Sequence, residues 1–386
     1  MAAGVAPILP GATLGVFGGG QLGRMFAIAA RRMGYRVRVY TDHADSPAGH
    51  IADAETVAPF DDLDAVARFG REIAVATFEF ENVAAAPLRT LAELVPVRPS
   101  PLILYLTQER LREKGILAAK GFPTTSFLAI RSRDVLEQAA AQFGHDAILK
   151  TAAFGYDGKG QARIRGAADV AAAWDALGGA LGILERRVDF QCELSVIVAR
   201  SPRGDCATFP VAENHHARHI LDASIVPARL DERVQCEARE LALGIAEALE
   251  LEGVLAVELF LTRDGKLLVN ELAPRPHNSG HYSFDACVTS QFEQQVRAVC
   301  GLPLGSTELL RPCVMINLLG DLWRGHELPG VAELLGDPLL KLHLYGKREA
   351  RPGRKMGHLV CLGTDPADAW ARAAAARKRL GLPQLH

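Results

Sequence analysis

The residues whose types and spacing suggest chemistry are concentrated in one stretch, Gly253–Tyr282. Apolar runs flank Asp264-Gly265, a dipeptide that favours a tight β-hairpin turn, so the stretch predicts two antiparallel strands. A two-residue loop pairs Glu258 directly with Glu271, whereas a three-residue loop pairs Glu258 with Asn270. We adopt the two-residue loop, which brings two carboxylates to within about 5 Å of each other.

Two like charges at that distance repel and need a counter-charge. Mg²⁺ prefers oxygen ligands, and Asn270 adds a neutral oxygen beside the two acids. The alternative is a surface hairpin whose two acids are solvated. The polar residues that follow the second strand favour the metal site over the surface hairpin, and they are Arg275, His277, Asn278 and His281.

The N-terminal segment, up to about residue 105, has the pattern of a dinucleotide-binding unit. A strand at Thr13–Phe17 runs into the glycine-rich turn Gly18–Gly23, a helix follows at Met25–Met33, and a second strand at Tyr35–Thr41 ends at Asp42. This GxGxxG turn with an acid about 20 residues further on is typical of nicotinamide-dependent oxidoreductases. The glycines establish only a turn whose N–H groups can meet an anion, so any phosphorylated substrate fits equally well.

A further strand at Ile73–Phe78 is followed by acids, beginning with Glu79. The carboxyl ends of parallel strands are where doubly wound sheets bind ligands. Glu79, together with Gln21 and Leu22 at the start of the first helix, is therefore a candidate substrate contact. The alternative is an acidic cluster that only begins a helix.

Composition restricts the class of protein. The chain has 386 residues, 49% hydrophobic and 23% charged, which suits two or three globular domains. A net charge of −2 gives no general attraction to nucleic acid or anionic membranes. No apolar run approaches the ~20 residues of a membrane span, and no signal peptide is recognisable. The seven cysteines form no CxxC pair, which predicts reduced thiols in the cytoplasm.

Prolines at 96, 99 and 101 mark the first boundary, and a charged helix follows at Gln108–Lys114. Most of its charges are predicted to form a solvated face. Next, a strand ending at Lys150 leads into a glycine-rich basic loop that ends at Gln161. Such a loop can close over a triphosphate, although it is not a Walker A motif; the alternative is an ordinary surface loop.

Three later segments carry further candidates. Strands at Ile183–Val188 and Cys192–Val198 place Glu193 where a carboxylate can meet ribose hydroxyls. Histidines at 215, 216 and 219 lack partners at metal-ligand spacing, so a polar loop near phosphate is the better interpretation. Near the C-terminus Lys347 and Arg354 are either solvated or hold a phosphate.

The chain resembles the ATP-grasp superfamily and, more closely, the N5-carboxyaminoimidazole ribonucleotide synthase family of purine biosynthesis. The resemblance rests on GGGQLGRM, FEFENV, QERLREK, GYDGKGQ, ENHHARHILDASIVPA, ELAPRPHNSGHYS and YGKREARPGRKMGHL, which span nearly the whole chain. It implies a mixed α/β and α+β fold. Residues 1–105 would form a Rossmann-like parallel-sheet domain, residues 106–305 the two-part ATP-grasp domain, and residues 306–386 a small C-terminal domain.

The resemblance also implies roles for individual residues. The ATP-binding residues would be Arg110, Lys150, Gly155, Tyr156, Asp157, Gly158, Lys159, Gly160, Gln161, Glu185, Arg186, Arg187, Val188, Glu193, His216, Asn270 and Glu271. Glu258, Asn270 and Glu271 would hold two Mg²⁺ ions. The catalytic residues would be Arg275, His277, Asn278, Lys159, Tyr156 and Asp157, and the second substrate would meet Gln21, Leu22, Glu79, Lys347 and Arg354.

The implied reaction uses ATP and bicarbonate to carboxylate the exocyclic amine of 5-aminoimidazole ribonucleotide through carboxyphosphate. A homodimer is the expected assembly. One alternative is the related formate-dependent glycinamide ribonucleotide transformylase, which is disfavoured by Asn278-Ser279-Gly280-His281, where an acid and no histidine is expected. The other alternative, a nicotinamide-dependent oxidoreductase, leaves the basic loop and the acid pair unexplained.

Overall fold

The computed structural model describes residues 6–153 and 160–385. The N-terminal part alternates strands and helices around a parallel sheet in the order β3-β2-β1-β4. Its elements are β1 (Thr13–Phe17), α1 (Gln21–Arg32), β2 (Arg36–Thr41), β3 (Ala54–Val57), α2 (Leu63–Gly70), β4 (Val75–Phe78), α3 (Ala85–Ala92) and α4 (Pro101–Thr107). Because β1 and β4 are neighbours, with Phe17 beside Phe78, the glycine turn and Glu79 leave the same sheet edge side by side.

A smaller antiparallel sheet follows, in the order β5-β8-β6-β7. The elements of this part are α5 (Arg110–Ala119), β5 (Phe127–Ile130), α6 (Arg133–Gln142), β6 (Ala147–Thr151), β7 (Gln161–Ile164), α7 (Asp169–Leu177) and β8 (Gly182–Arg186). Ile130, Leu149 and Leu184 lie in the core that α6 and α7 cover. The sheet thereby holds Lys150 and Glu185 on adjacent strands.

The largest sheet has the order β14-β13-β9-β11-β12-β15-β17-β16, with β10 paired to β9. Its strands and the helices between them are β9 (Phe190–Arg200), β10 (Cys206–Thr208), β11 (Ala212–Ala217), β12 (Ile220–Val226), α8 (Glu232–Ala248), β13 (Gly253–Thr262), β14 (Leu267–Ala273), α9 (Ser283–Ala286), α10 (Gln291–Val299), β15 (Cys313–Leu319), α11 (Val331–Leu335), β16 (Leu340–Leu344), β17 (Lys355–Leu362) and α12 (Pro366–Arg379). The C-terminal strands extend this sheet through β12 and β15.

Alternation along the central strands gives this sheet one apolar face and a second face that is polar at one end, called the polar face below. Leu194 and Val196 of β9, with Val257 and Leu259 of β13, pack into the core that α8 covers. Side chains of successive residues point to opposite faces of a sheet. Glu193, Ser195 and Glu258 therefore share the other face. This end of that face is polar, whereas its other end, with Ile197 and Ala256, belongs to a second apolar core.

One expectation about the helix now called α5 is wrong. Its charges do not form a solvated face, because Glu113 is 2% exposed and Lys114 is fully buried. Lys114 Nζ donates to Asn270 O at 2.9 Å, and Glu113 Oε2 accepts the N–H of Leu272 at 3.0 Å. The helix turns this polar side toward β14, and helical periodicity alone cannot tell a polar neighbour from solvent.

The helices within residues 6–153 and 160–385 are too short or too polar to cross a lipid bilayer.

Candidate active site

The hairpin pairs Glu258 with Glu271, as the sequence predicted, but its loop length and strand register differ from the prediction. Thr262 N donates to Lys266 O at 2.9 Å, so the loop has three residues and not two. Leu259 consequently pairs with Val269, and a β-bulge at Asn270 restores the pairing of the two acids. The expected loop length was therefore wrong, while the pairing deduced from it is correct.

The bulge also decides which way the side chains point. Leu267, Val269 and Leu272 all belong to the core beneath α8, although strict alternation would send Leu272 to the opposite face. The extra residue absorbs the change of face, which is a common use of bulges near active sites. Asn270 and Glu271 therefore both lie on the polar face with Glu258.

The acid pair is only partly neutralised by the protein. The Glu258 side chain is 12% exposed and that of Glu271 is 39% exposed. Burial and the nearby Glu271 charge raise the pKa of Glu258 to about 8. Burial also opposes ionisation of Glu271, but the charges of Arg110 and Lys150 outweigh it and lower its pKa. Arg110 NH1 lies 3.0 Å from Glu271 Oε2.

The residues present suit a divalent cation that shares its coordination with a ligand. Glu258, Asn270 and Glu271 offer the oxygen donors that Mg²⁺ prefers, and a cation would remove the charge repulsion that raises the Glu258 pKa. Within the described ranges no group of three or more His, Cys, Asp or Glu side chains is arranged to hold a metal alone. Phosphate and water oxygens commonly complete the coordination of Mg²⁺.

Basic groups converge on the same cleft from the smaller sheet and α5. Lys150 Nζ lies 2.5 Å from Glu185 Oε2, and the fully buried Lys114 Nζ lies 3.4 Å from the other oxygen. Burial raises the pKa of Glu185, but the two lysines outweigh it, so the pKa falls below its usual range. The carboxylate of Glu185 thus fixes two cations near the acid pair.

The predicted nucleoside contacts lie on strands that border this cleft. His216 Nδ1 is 2.9 Å from Glu193 Oε2; burial opposes protonation, but the carboxylate prevails and raises the His216 pKa. Arg186 N donates to Ser126 O, and the Arg187 side chain bonds Asp146. The Arg186 side chain is exposed and lies over the Phe143 ring, and the N–H of Arg187 donates to Asp146 O.

The glycine-rich loop is described only at its end. Gly160 O accepts the N–H of Thr151 at 2.8 Å, and Gln161 Nε2 lies 3.2 Å from His219 Nδ1. The expectations for Gly155, Tyr156, Asp157, Gly158 and Lys159 fall outside the described residues.

The segment after β14 brings its polar side chains to the acid pair. His277 Nε2 lies 3.2 Å from Glu258 Oε1, and burial holds the pKa of His277 well below its usual value, so the ring is neutral. Arg275 forms an ion pair with Glu81. Both polar side-chain atoms of Asn278 are buried without a hydrogen-bond partner among the described residues, as expected of groups that await a ligand.

The glycine turn after β1 already holds an anion from the protein itself. The Glu79 carboxylate accepts the N–H of Gly20 through one oxygen and the N–H of Gly23, at 2.8 Å, through the other. Burial nevertheless raises the pKa of Glu79, against the N–H groups and the charges of Lys347 and Arg275. A dinucleotide pyrophosphate would need the position that this carboxylate occupies.

The remaining candidate substrate contacts surround two depressions near this turn. Leu22 and Glu79 line the first, a void of only about 10 Å³, while Gln21 is the first residue of α1. The second has a volume of about 190 Å³ and is lined by cations from the segment after β16, with His43 and Asp45 opposite. Those cations are Lys347, Arg348, Arg351 and Arg354.

The structure adds residues that sequence reasoning missed. Lys114 lies four positions after Arg110, so the helical repeat could have placed both on the same side of α5. Gln291 bonds the backbone of His277, and Glu113 bonds that of Leu272. No local signal in the sequence distinguishes these two from ordinary surface polar residues.

Comparison with protein families gives three matches along the chain. Residues 11–108 match the ribonucleotide synthetase preATP-grasp domain, residues 115–292 the ATP-grasp domain, and residues 313–372 the phosphoribosylaminoimidazole carboxylase C-terminal domain.

Characterised relatives match over nearly the full length. The chain is 47% identical over 367 residues to N5-carboxyaminoimidazole ribonucleotide synthase of Bacillus subtilis, covering 94% of each chain. It is 44% identical to the enzyme of the same name from Brucella melitensis, covering 91% of this chain and 96% of that one.

Solved structures agree with these relatives. An ADP complex of an N5-carboxyaminoimidazole ribonucleotide synthetase superimposes with a TM-score of 0.92 at 44% identity, covering 97% of each chain. The Aspergillus clavatus synthase in complex with ADP and 5-aminoimidazole ribonucleotide gives 0.90 at 30% identity, covering 96% of this chain and 98% of that one. The full-length matches and the paired acids at the cleft lead to one conclusion: the chain belongs to the N5-carboxyaminoimidazole ribonucleotide synthase family of ATP-grasp enzymes.

Proposed function

We propose that this chain carboxylates the exocyclic amine of 5-aminoimidazole ribonucleotide, using ATP and bicarbonate, in purine biosynthesis. The observation that carries the proposal is the pairing of Glu258 with Glu271 on the polar face, beside Arg110, Lys150 and His277. Phosphoryl transfer depends on positioning and charge neutralisation and needs no covalent protein nucleophile. The names of the relatives support this reaction over the formate-dependent transformylation.

ATP would lie in the cleft between the smaller sheet and the polar face of the large one. Arg110 and Lys150 supply positive charge to its phosphates, while Glu193 and His216 face its ribose. Glu258, Asn270 and Glu271 would hold Mg²⁺, which when bound neutralises negative charge on the transferring phosphoryl group. The proposed role of the loop 155–161 is to close over the phosphates and exclude water.

Bicarbonate becomes reactive when one of its oxygens attacks the γ-phosphorus and ADP leaves, which gives carboxyphosphate. Arg275, His277 and Asn278 lie together beyond β14, and the Asn278 amide, which has no partner within residues 6–153 and 160–385, is available to bind this anion. Because His277 Nδ1 accepts the N–H of Ser279, the neutral ring carries its proton at Nε2. The substrate amine then attacks the carboxyl carbon, or CO₂ released from carboxyphosphate, and inorganic phosphate leaves.

The second substrate would lie between the glycine turn and the cations after β16. Lys347 and Arg354 would bind its phosphate, and Gln21, Leu22 and Glu79 its ribose and base. Tyr156, Asp157 and Lys159 are proposed to approach the same substrate. These last three residues lie outside the part of the chain that the structure describes.

The assembly and the domain boundaries remain proposals. We expect a homodimer, as the resemblance implies, and light scattering coupled to size-exclusion chromatography measures the mass directly. The division at about residues 105 and 305 can be tested by limited proteolysis, which should cleave near those positions first.

The activity is tested by phosphate release from ATP. We expect release that requires both bicarbonate and 5-aminoimidazole ribonucleotide. Release with formate and glycinamide ribonucleotide instead would establish the transformylase, and turnover of NAD(P)H without ATP would establish the oxidoreductase.

A further inference from the structure

The catalytic segment after β14 is held by the side chain of Gln291, the first residue of α10. Gln291 Oε1 accepts the N–H of His277 at 2.9 Å, and Gln291 Nε2 donates to His277 O at 2.7 Å. One fully buried amide therefore satisfies both backbone groups of His277, as a neighbouring strand would. Buried backbone groups need such partners, so this contact fixes the path of the chain at His277.

The same amide reaches the far end of the segment. Gln291 Nε2 lies 3.1 Å from His281 Nδ1, and the N–H of Gln291 donates to Ser283 Oγ at 2.9 Å. A Cβ on Gly280 would lie 2.6 Å from Gln291 Oε1, so only glycine permits this close approach. The residues from His277 to His281 are thus wrapped around the Gln291 side chain, and Ser283 accepts the backbone N–H of the same residue.

The His277 ring is oriented within this wrapped segment. Its Nδ1 accepts the N–H of Ser279 at 3.3 Å and lies 2.9 Å from Ser279 Oγ, which in turn accepts Ser195 Oγ–H at 2.7 Å. Because Nδ1 is an acceptor, the ring proton is on Nε2, the atom 3.2 Å from Glu258 Oε1. The backbone that Gln291 holds therefore sets where this N–H points.

We propose that Gln291 is a positioning residue for the carboxylation: it holds His277, and with it Arg275 and Asn278, against the reacting anion. The proposal rests on the proposed function above. A misplacement of about 1 Å in such a group can reduce the rate about 100-fold. Loosening this segment should also let carboxyphosphate escape to water before the amine captures its carboxyl group.

The chain contains a matched control on the same helix. Gln294 is also fully buried, and its amide accepts the N–H of Gly305 at 2.9 Å and donates to Gly305 O at 2.6 Å. This is the same double contact to one residue, but on the connection between α10 and β15, away from the acid pair. Loss of either amide should cost similar stability, while only loss of Gln291 should alter the chemistry.

The experiment compares Gln291→Met with Gln294→Met in the full chain, after wild-type activity has been established. We expect both variants to melt at similarly lowered temperatures. Gln291→Met should lose kcat about 10- to 100-fold, with the KM for ATP nearly unchanged, because Gln291 acts through His277 and not on the nucleotide. It should also release more than one phosphate per carboxylated product, whereas Gln294→Met keeps the wild-type ratio.

Wild-type kcat and phosphate-to-product ratio in Gln291→Met would overturn the proposal, as would equal losses in both variants. If Gln291→Met does not fold, Gln291→Asn provides the same test, because its amide is one methylene too short to reach His277. A wild-type protein without phosphate release dependent on bicarbonate and 5-aminoimidazole ribonucleotide would refute the proposed function itself, before any variant is made.

Discussion

Two regions of this chain have the sequence features of a phosphate-binding site, and they differ in how their charges are balanced. At the glycine turn after β1, the N–H groups of Gly20 and Gly23 already bind the Glu79 carboxylate. At the hairpin, Glu258 and Glu271 face each other, and the pKa of Glu258 is raised by burial and by its neighbour. The first site is satisfied within the protein, whereas the second still needs a cation.

The difference shows why a motif alone does not establish a ligand. The glycine turn provides donors, but Glu79 follows Gly20 by 59 positions, so its arrival depends on β4 pairing beside β1. The hairpin acids come from adjacent strands. Despite burial, Arg110 and Lys150 lower the pKa of Glu271, whereas at Glu258 burial and the Glu271 charge outweigh His216 and Lys355. The unbalanced site is therefore the better guide to function.

The largest expected effect tests the unbalanced site. Glu258→Gln should reduce turnover about 1,000-fold or more, because an oxygen ligand of the proposed Mg²⁺ is lost. The variant without ligands should nevertheless be more stable than wild type at pH 8. The pKa of Glu258 is about 8 in the fold and 4.5 ordinarily, so ionisation costs the wild type stability as pH rises through that window.

Urea unfolding at pH 5 and pH 8 measures the stability difference, and Mg²⁺-dependent ATP turnover measures the activity. Asp264→Asn, at the exposed tip of the same hairpin, should leave activity unchanged and is the control. A Glu258→Gln enzyme that keeps full turnover would exclude the metal assignment.

The next effect tests the balanced site. Glu79→Gln replaces one acceptor oxygen by an NH₂ group that faces a backbone N–H, so we expect a loss of about 1–3 kcal/mol in unfolding free energy. The KM for 5-aminoimidazole ribonucleotide should rise about tenfold or more, because Glu79 lies at the proposed ribose and base site. Denaturant unfolding and steady-state kinetics check both values.

Asp42→Asn sharpens this comparison. Asp42 is the acid that a dinucleotide site would use for the ribose, but here it lies at the surface beside His43. We expect no change in ATP-dependent turnover. A nicotinamide cofactor bound by wild type and lost in Asp42→Asn would contradict the assignment of the glycine turn to the second substrate.

A smaller effect concerns the cations that face the glycine turn. Burial, with the nearby Arg354 charge, lowers the pKa of Lys347 to about 8. Since a phosphate dianion binds the protonated amine, the KM for 5-aminoimidazole ribonucleotide should rise about tenfold per pH unit above pH 8. Lys347→Arg should flatten this rise, because a guanidinium stays charged. A wild-type KM that is flat from pH 7 to 9 would contradict the role of Lys347.

Local patterns in the sequence predicted much of this fold. The strand Thr13–Phe17 has the predicted bounds, and the strands predicted at Tyr35–Thr41 and Ile73–Phe78 end at the predicted residues, Thr41 and Phe78. In these segments the apolar run and the turn residues that follow it agree. The family resemblance supplied the order of the domains and most candidate site residues.

Long-range partners could not be predicted in this way. Glu113 and Lys114 look like surface charges until β14 is placed against α5. The hydrogen bonds between Gln291 and His277 join two segments, and no sequence pattern indicates that these segments are in contact. The bulge at Asn270 likewise depends on a distant contact, because it lets Leu272 pack into the core beneath α8.

The smallest effect tests how the hairpin keeps its acids paired. Gly265 has φ of +81° and open space where a Cβ would lie, so Gly265→Ala meets backbone strain and no clash. We expect a loss of about 1 kcal/mol in unfolding free energy. Activity should stay at the wild-type level, because the bulge at Asn270 and the core contact of Leu272 set the register independently of the turn. If kcat falls together with stability, the turn and not the bulge fixes the register, and the balance of charges at Glu258 and Glu271 depends on the loop.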